Sequence, residues 1–303
     1  MAIDLKSLKK KTINDPHWIL IYSEPGRGKT TTALGCPNSI YLQIGREAPP
    51  RGVDFTPVQE GTITDYSTIK NTLHALLVQD HGFTNIIIDS LDELELLIWA
   101  ETCRRGGFAK ITDPNYSAGF KQSLYVWNEF IDDCKKLITA KKASVTWLAR
   151  CVTEKHEEPG MQSYNKYKLN LHKDIQPYIL GSVEGVLFMN NPITLTEEKL
   201  AFGSKEKFAA SASGGARWIY ADARATFYAK KRFPTMPDKF QIPEINAWEI
   251  IQNYLYGVPV LEPIQQFLPE QIAAVAVIPV AENAATIPAE NPAQLVDQTS
   301  QAA

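Results

Sequence analysis

The sequence predicts an α/β fold with a mostly parallel sheet flanked by helices, and three observations predict it. An apolar run, His17 to Tyr22, feeds Ser23-Glu24-Pro25-Gly26-Arg27-Gly28-Lys29-Thr30, and a short helical pattern from Thr31 to Leu34 follows, which is the order strand, glycine-rich turn, helix. A second apolar run, Asn85-Ile86-Ile87-Ile88, ends in Asp89 and opens into Leu91-Asp92-Glu93-Leu94-Glu95-Leu96-Leu97. Between and after these runs, apolar strands alternate with segments whose apolar residues recur at three and four. Strands apolar on both faces belong in parallel sheets covered on both sides.

The chain has 303 residues, 44% hydrophobic and 21% charged, enough for a sizeable core in one large or two modest domains. No run of about eighteen apolar residues occurs, and Met1 to Lys6 lacks the apolar core of a signal peptide, so no membrane contact and a cytoplasmic location are expected. Cys36, Cys103, Cys134 and Cys151 fall in separate segments with no paired spacing, which predicts reduced structural thiols. The net charge of −3 is uneven, because Val258 to Ala303 holds five acidic residues and no Lys or Arg, leaving about +2 for the rest.

Residues 1–16 carry Lys6, Lys9, Lys10 and Lys11 and read as a basic arm, either a solvated terminus or a nucleic-acid contact. The domain proper spans 17–257. Its first turn has the composition of a phosphate-binding loop. Pro25, Gly26 and Gly28 let successive N–H groups point inward at a phosphate chain, Lys29 would reach the β- and γ-phosphates of ATP, and Thr30 would hold Mg²⁺ through its hydroxyl. Glu24, Arg27 and Thr31 complete the cradle. Ser23 stands where the pattern G-x-x-x-x-G-K-[ST] has its first glycine, which is feasible if φ stays negative there.

Ser39 to Ile44 reads as the second strand, broken by Gly45-Arg46-Glu47, and Tyr66 to Gln79 as a helix. The strand ending in Asp89 has the Walker B pattern. Its C-terminal edge is where ligands bind in parallel sheets, so Asp89 is expected to meet the Mg²⁺ held by Thr30, with Ser90 placed to hydrogen-bond nearby. Residues 104–117 read as a long loop with Arg104, Arg105, Lys110, Phe108 and Tyr116, suited to nucleic acid or equally to a solvated surface. Phe120 to Ile138 is a long amphipathic helix with Trp127 in the core.

Ala143 to Ala149 is a further strand, with Arg150 at its end as a nucleotide-sensing residue or a surface ion pair. The polar stretch from Thr153 to Lys168 reads either as a segment ordered by nucleic acid or as a β-hairpin tip. Gly185 to Met189 is a strand, and residues 190–215 are loop-like. Arg217 to Tyr220 and Thr226 to Lys230 are expected to pair as a hairpin, giving a small β extension that Lys230-Lys231-Arg232 closes. Lys230 and Arg232 would stabilise phosphoryl-transfer charge beside a neighbouring subunit, with a solvated basic turn as the alternative. Ile245 to Tyr256 is a closing helix. Residues 258–303, rich in Ala, Pro and Gln, predict a disordered tail that could dock a partner protein.

With these residues in view, residues 17–250 resemble the phage-encoded RecA-like P-loop ATPases that assist recombination or single-strand annealing. The resemblance rests on Ser23 to Thr30 with its Glu-Pro-Gly start, Ile86 to Ser90, Tyr116 to Phe120 leading into a long helix, and Ala229-Lys230-Lys231-Arg232. It implies a RecA-like core, Mg-ATP binding, a homo-oligomer with the nucleotide site between subunits, contact with single-stranded DNA and residence in a bacterial host cell. It also implies a catalytic Glu after the second strand, for which Glu47 is the candidate, although it sits late. Ser23 and Arg150 replace the family's Gly and His. These differences bear on hydrolysis more than on binding, since water needs an aligned base while a triphosphate needs only the cradle. Two other classes are a nucleotide-regulated binding module of a replisome and a small-molecule kinase, the latter lacking a compact Arg-rich lid.

Overall fold

A computed structural model describes residues 12, 14–47, 62–157, 163–191, 193–199, 205–211 and 217–258, the segments 193–199 and 205–211 as backbone only. The expected basic arm, apart from its last residues, and the expected tail from 259 onward lie outside the described residues.

The glycine-rich turn sits between β1 (Trp18–Ser23) and α1 (Lys29–Leu34). The chain continues through β2 (Ser39–Gln43), α2 (Tyr66–Val78), β3 (Asn85–Asp89), α3 (Leu91–Gly106) and α4 (Ala118–Ala140). Then follow β4 (Ser144–His156), β5 (Tyr164–Leu169), α5 (Gln176–Ser182), β6 (Gly185–Asn190), β7 (Ile193–Lys199), β8 (Lys205–Ser211), β9 (Arg217–Tyr220), β10 (Lys239–Ile242) and α6 (Ala247–Leu255). In the main sheet the order is β10-β9-β6-β1-β4-β3-β2. The five strands from β6 to β2 are parallel, and β9 and β10 add antiparallel at one side.

The apolar alternation explains why both faces are covered. Trp18, Leu20 and Tyr22 of β1, Ile86 and Ile88 of β3, and Val145 and Trp147 of β4 share one core with α2, α3 and α4. Ile19, Ile21, Ile87 and Leu148 point the other way and pack with Ala33 and Leu34 of α1 and Trp248, Ile251 and Leu255 of α6. Trp127 is fully buried, as expected, and Trp147 is held edge-on by Trp18 at 4.8 Å and stacked by Phe130 at 5.7 Å. The four cysteines are free thiols.

The structure departs from the sequence reading in four places. Residues 193–199 and 205–211, expected as loop, pair as a separate antiparallel ribbon, β7 with β8. Their short alternating stretches carry too weak an apolar signal to separate from loop. Arg217 to Tyr220 does not pair with Thr226 to Lys230 but with β10, Arg217 opposite Ile242. Thr226 to Lys230 instead bridges β5 through Phe227 opposite Tyr167 and β6 through Lys230 opposite Val186, and the Phe227 ring stacks on Phe188 at 4.8 Å and meets Tyr220 at 5.1 Å. The expected loop from 104 starts later, because α3 runs to Gly106, where Gly107 takes the left-handed conformation that ends the helix. Within it Arg105 is committed to Glu101 and Glu129 and Arg104 to Glu101, while Tyr116 is 96% exposed. Finally, β4 does not end at Arg150 but continues to His156 and pairs antiparallel with β5, so the polar stretch takes the hairpin form.

One clasp binds the connection after β5 to α3. The buried carboxylate of Glu95 accepts the His172 backbone N–H at both oxygens, 3.0 Å each, while the His172 ring stacks on Phe120 of α4 at 4.1 Å. Burial raises the Glu95 carboxyl to about 7, a shift that the His172 N–H opposes. Because its folded value lies above the unfolded one, the folded state carries no penalty from Glu95 below about pH 4.5 and loses stability as pH rises toward 7, by about 3 kcal/mol. Glu95→Gln should remove that loss. Urea unfolding of both proteins from pH 5 to 8 should therefore show the variant's advantage growing with pH.

Candidate functional site

The parallel register brings the C-terminal ends of four strands to one edge. Ser23 of β1 lies opposite Arg150 of β4, Leu148 of β4 opposite Asp89 of β3, and Asp89 opposite Gln43 of β2. Because β4 runs between β1 and β3, Asp89 starts about 10 Å from the strand that carries the loop. Helix α1 crosses that gap. It begins at Lys29 directly after the turn and contacts β4 and β3, which returns Thr30 to the end of β3.

The loop itself is built for tight backbone curvature. Gly26 and Gly28 have φ of +76° and +87°, values that L side chains rarely adopt, whereas Ser23 stays in strand conformation as required of it. Ser23 is buried, and its hydroxyl donates to the Glu24 carbonyl at 2.9 Å. Glu24 and Arg27 form an ion pair at 2.6 Å that braces the outer rim of the loop. Pro25 and Thr31 are exposed, Thr30 half-buried and Lys29 buried.

Thr30 Oγ1 donates to Asp89 Oδ2 at 2.7 Å, and the Tyr41 hydroxyl donates to the same oxygen at 3.0 Å. The other oxygen, Oδ1, is buried with no hydrogen-bond partner. Burial raises the Asp89 carboxyl to about 6; the Thr30 hydrogen bond and the nearby Lys29 charge work in the opposite direction, and Glu47 adds to the rise. A buried carboxylate with one orphan oxygen beside a threonine hydroxyl is a hard oxygen donor set, and it fits a divalent cation such as Mg²⁺.

Glu47 is also drawn to this edge. Its Oε1 accepts from Ser90 Oγ at 3.1 Å and lies 3.4 Å from Arg150 Nε. Arg150 is half-buried and does not stand free. Its backbone N–H donates to Asp92 Oδ1 at 3.0 Å, its Nε pairs with Asp92, and its Nη2 reaches Glu93 Oε1 at 2.6 Å. Glu93 in turn accepts the Arg46 backbone N–H at 3.2 Å, which holds the turn containing Glu47 against the start of α3.

Lys230 and Arg232 occupy a different place. Lys230 bridges Val186, itself opposite Leu20 in the middle of β1, and its ammonium donates to the Leu180 carbonyl at the end of α5. The chain then passes Gly185, where Phe233 packs, so both cations lie toward the sheet edge opposite Lys29 within one chain. Lys231 pairs with Asp238, and Arg232 is exposed.

Four residues at the loop edge were not singled out as functional by the sequence. Tyr41 reads as an ordinary core position in a strand, and Arg217 as the start of a hairpin. Asp92 and Glu93 follow the Walker B strand as helix-opening acids, a signal compatible with capping alone. Among the described residues, no helix is long and apolar enough to cross a membrane.

Comparison with known proteins agrees with this geometry. A search of curated proteins finds no match to the chain. A family model described as an AAA domain matches residues 15–233, well over half of the chain and inclusive of the loop, the Asp89 strand and Arg150. Strand, glycine-rich loop, helix and a distant acid brought alongside the loop's threonine thus carry a family assignment: the chain belongs to the AAA-domain family of P-loop ATPases.

Proposed function

We propose that this protein binds Mg-ATP and hydrolyses it slowly, with stimulation by single-stranded DNA, as a RecA-like, phage-type accessory of recombination or replication. The observation that carries the reading is the 2.7 Å contact between Thr30 and Asp89 across β4, beside the buried Lys29. Mg²⁺ would be held by the Thr30 hydroxyl and the Asp89 carboxylate, where it supplies charge neutralisation for the β- and γ-phosphate oxygens. Lys29 directs an ammonium at the same oxygens, and the N–H groups of Gly26 to Thr31 orient the phosphate chain. Glu47, reached from Ser90 and Arg150, would accept a hydrogen bond from the attacking water and so align it. Lys230 and Arg232, remote from the loop of their own chain, would serve the site of a neighbouring copy in a homo-oligomer.

A second reading, a nucleotide-regulated binding module with little turnover, is favoured by the Arg150 contacts. An arginine engaged with Asp92, Glu93 and Glu47 ties the Glu47 carboxylate to the protein instead of leaving it free to align a water. Phosphate release with and without single-stranded DNA separates the two readings: stimulated release supports the ATPase, and nucleotide binding without release supports the module. The DNA contact itself should weaken steeply with salt.

Lys29→Ala should abolish binding of a fluorescent ATP analogue measured by anisotropy, and undiminished binding refutes the site. Asp89→Asn should remove the Mg²⁺-dependent part of nucleotide affinity yet raise the melting temperature of the nucleotide-free protein at pH 8, since a neutral amide costs less to bury than a carboxylate. Arg232→Ala should leave nucleotide affinity intact and lower DNA-stimulated phosphate release by roughly tenfold or more, as expected of a charge acting only in the transition state.

A further inference from the structure

Arg217 opens β9 at the sheet edge that carries the loop, and its side chain lies on the loop itself. A Cβ at Gly28 would collide with Arg217 Nη1 and sit 3.4 Å from Cζ, so the guanidinium rests against the Gly28 backbone and claims the space a side chain would need. The group is poorly satisfied there. Among the described residues its one hydrogen bond runs from Nη2 to the Pro243 carbonyl, and Nε is buried without a partner. Burial lowers its pKa, and Glu244 offsets this only through its field. Nearby Arg27 is committed to Glu24, and Arg150 to Asp92 and Glu93.

A half-buried guanidinium whose Nε is withdrawn from water and bonded to no carboxylate is costly, and an anion bonded to it would repay that cost. The anion that the adjoining loop would receive is a polyphosphate. We propose that Arg217 is a phosphate ligand acting in cis, a second fixed positive charge that joins Lys29 in holding the di- or triphosphate of a nucleotide against the loop. The inference rests on the nucleotide-binding reading of the loop and adds to it a residue from the far side of the sheet, almost two hundred positions downstream. It assigns Gly28 a second duty as well. Besides its left-handed backbone, the missing Cβ admits the arginine.

The role rests on charge: a lysine here keeps a cation for the phosphate oxygens, whereas a neutral amide retains a donor for Pro243 but no charge. The test is therefore Arg217→Gln beside Arg217→Lys in the full chain, titrated with N-methylanthraniloyl-ADP and Mg²⁺, with thermal melts to verify folding. Arg217→Gln should weaken binding by roughly tenfold or more, and Arg217→Lys should recover most of it. A Gln variant that binds within about twofold of the parent, or a Lys variant as weak as the Gln variant, overturns the proposal. The Lys29→Ala protein run in parallel keeps the two readings apart. Lost binding there with unaltered binding in Arg217→Gln removes Arg217 alone, whereas retained binding in Lys29→Ala removes the loop as the site.

Discussion

Asp89 must be buried to finish a central strand and charged to serve a cation, and these demands oppose each other. The neighbourhood reflects the compromise: Thr30 and Tyr41 both donate to one carboxylate oxygen while the other is left bare. A carboxylate held this way is poor for stability and ready for a metal, a combination usual at functional sites. Much of the surrounding fold can be understood as what brings a threonine to that acid. The parallel register lines up the strand ends, β4 separates the two strands involved, and α1 spans the separation.

Charge balance at this edge depends on a second arrangement. Glu47, Asp89, Asp92 and Glu93 gather where a polyanion would be received, and uncompensated they would repel it. Arg150 meets three of the four, and its half-buried position shields those pairs from solvent. The loop's own cations then remain for the ligand. Arg150 thus acts on the site's field even though its donors are turned to protein carboxylates.

The parallel core was legible in the sequence because its strands are apolar on both faces, and Ile86 to Asp89 carries that signal with little competition. The loop was legible because its glycines, lysine and threonine have a mechanical reason for each position. What lay beyond reading was lateral. Nothing in Lys239-Phe240-Gln241-Ile242, a four-residue alternation set among prolines, says that it rather than Thr226 to Lys230 pairs with β9. Thr226 to Lys230 has partners distant in sequence instead, Tyr167 of β5 beside Phe227 and Val186 of β6 beside Lys230. The same applies to Arg217, whose proximity to Gly28 exists only once β9 has joined the sheet antiparallel to β6. Glu47 was legible as a candidate, but its tie to Arg150 was not, since an acid and a base a hundred residues apart carry no mutual signature.

The brevity of α1 has a consequence for where the chain can be cut. Six residues cannot sustain helical pitch unaided, and Ala33 and Leu34 are steadied by Trp248, Ile251 and Leu255 of α6, with Phe240 and Ile242 of β10 closing the same layer. All of these lie past residue 233, where the matched family segment stops. A fragment trimmed to that segment would leave an oily underside beneath the loop and a helix free to unwind. The recognisable stretch is thus shorter than the autonomous folding unit, which extends at least through Leu255.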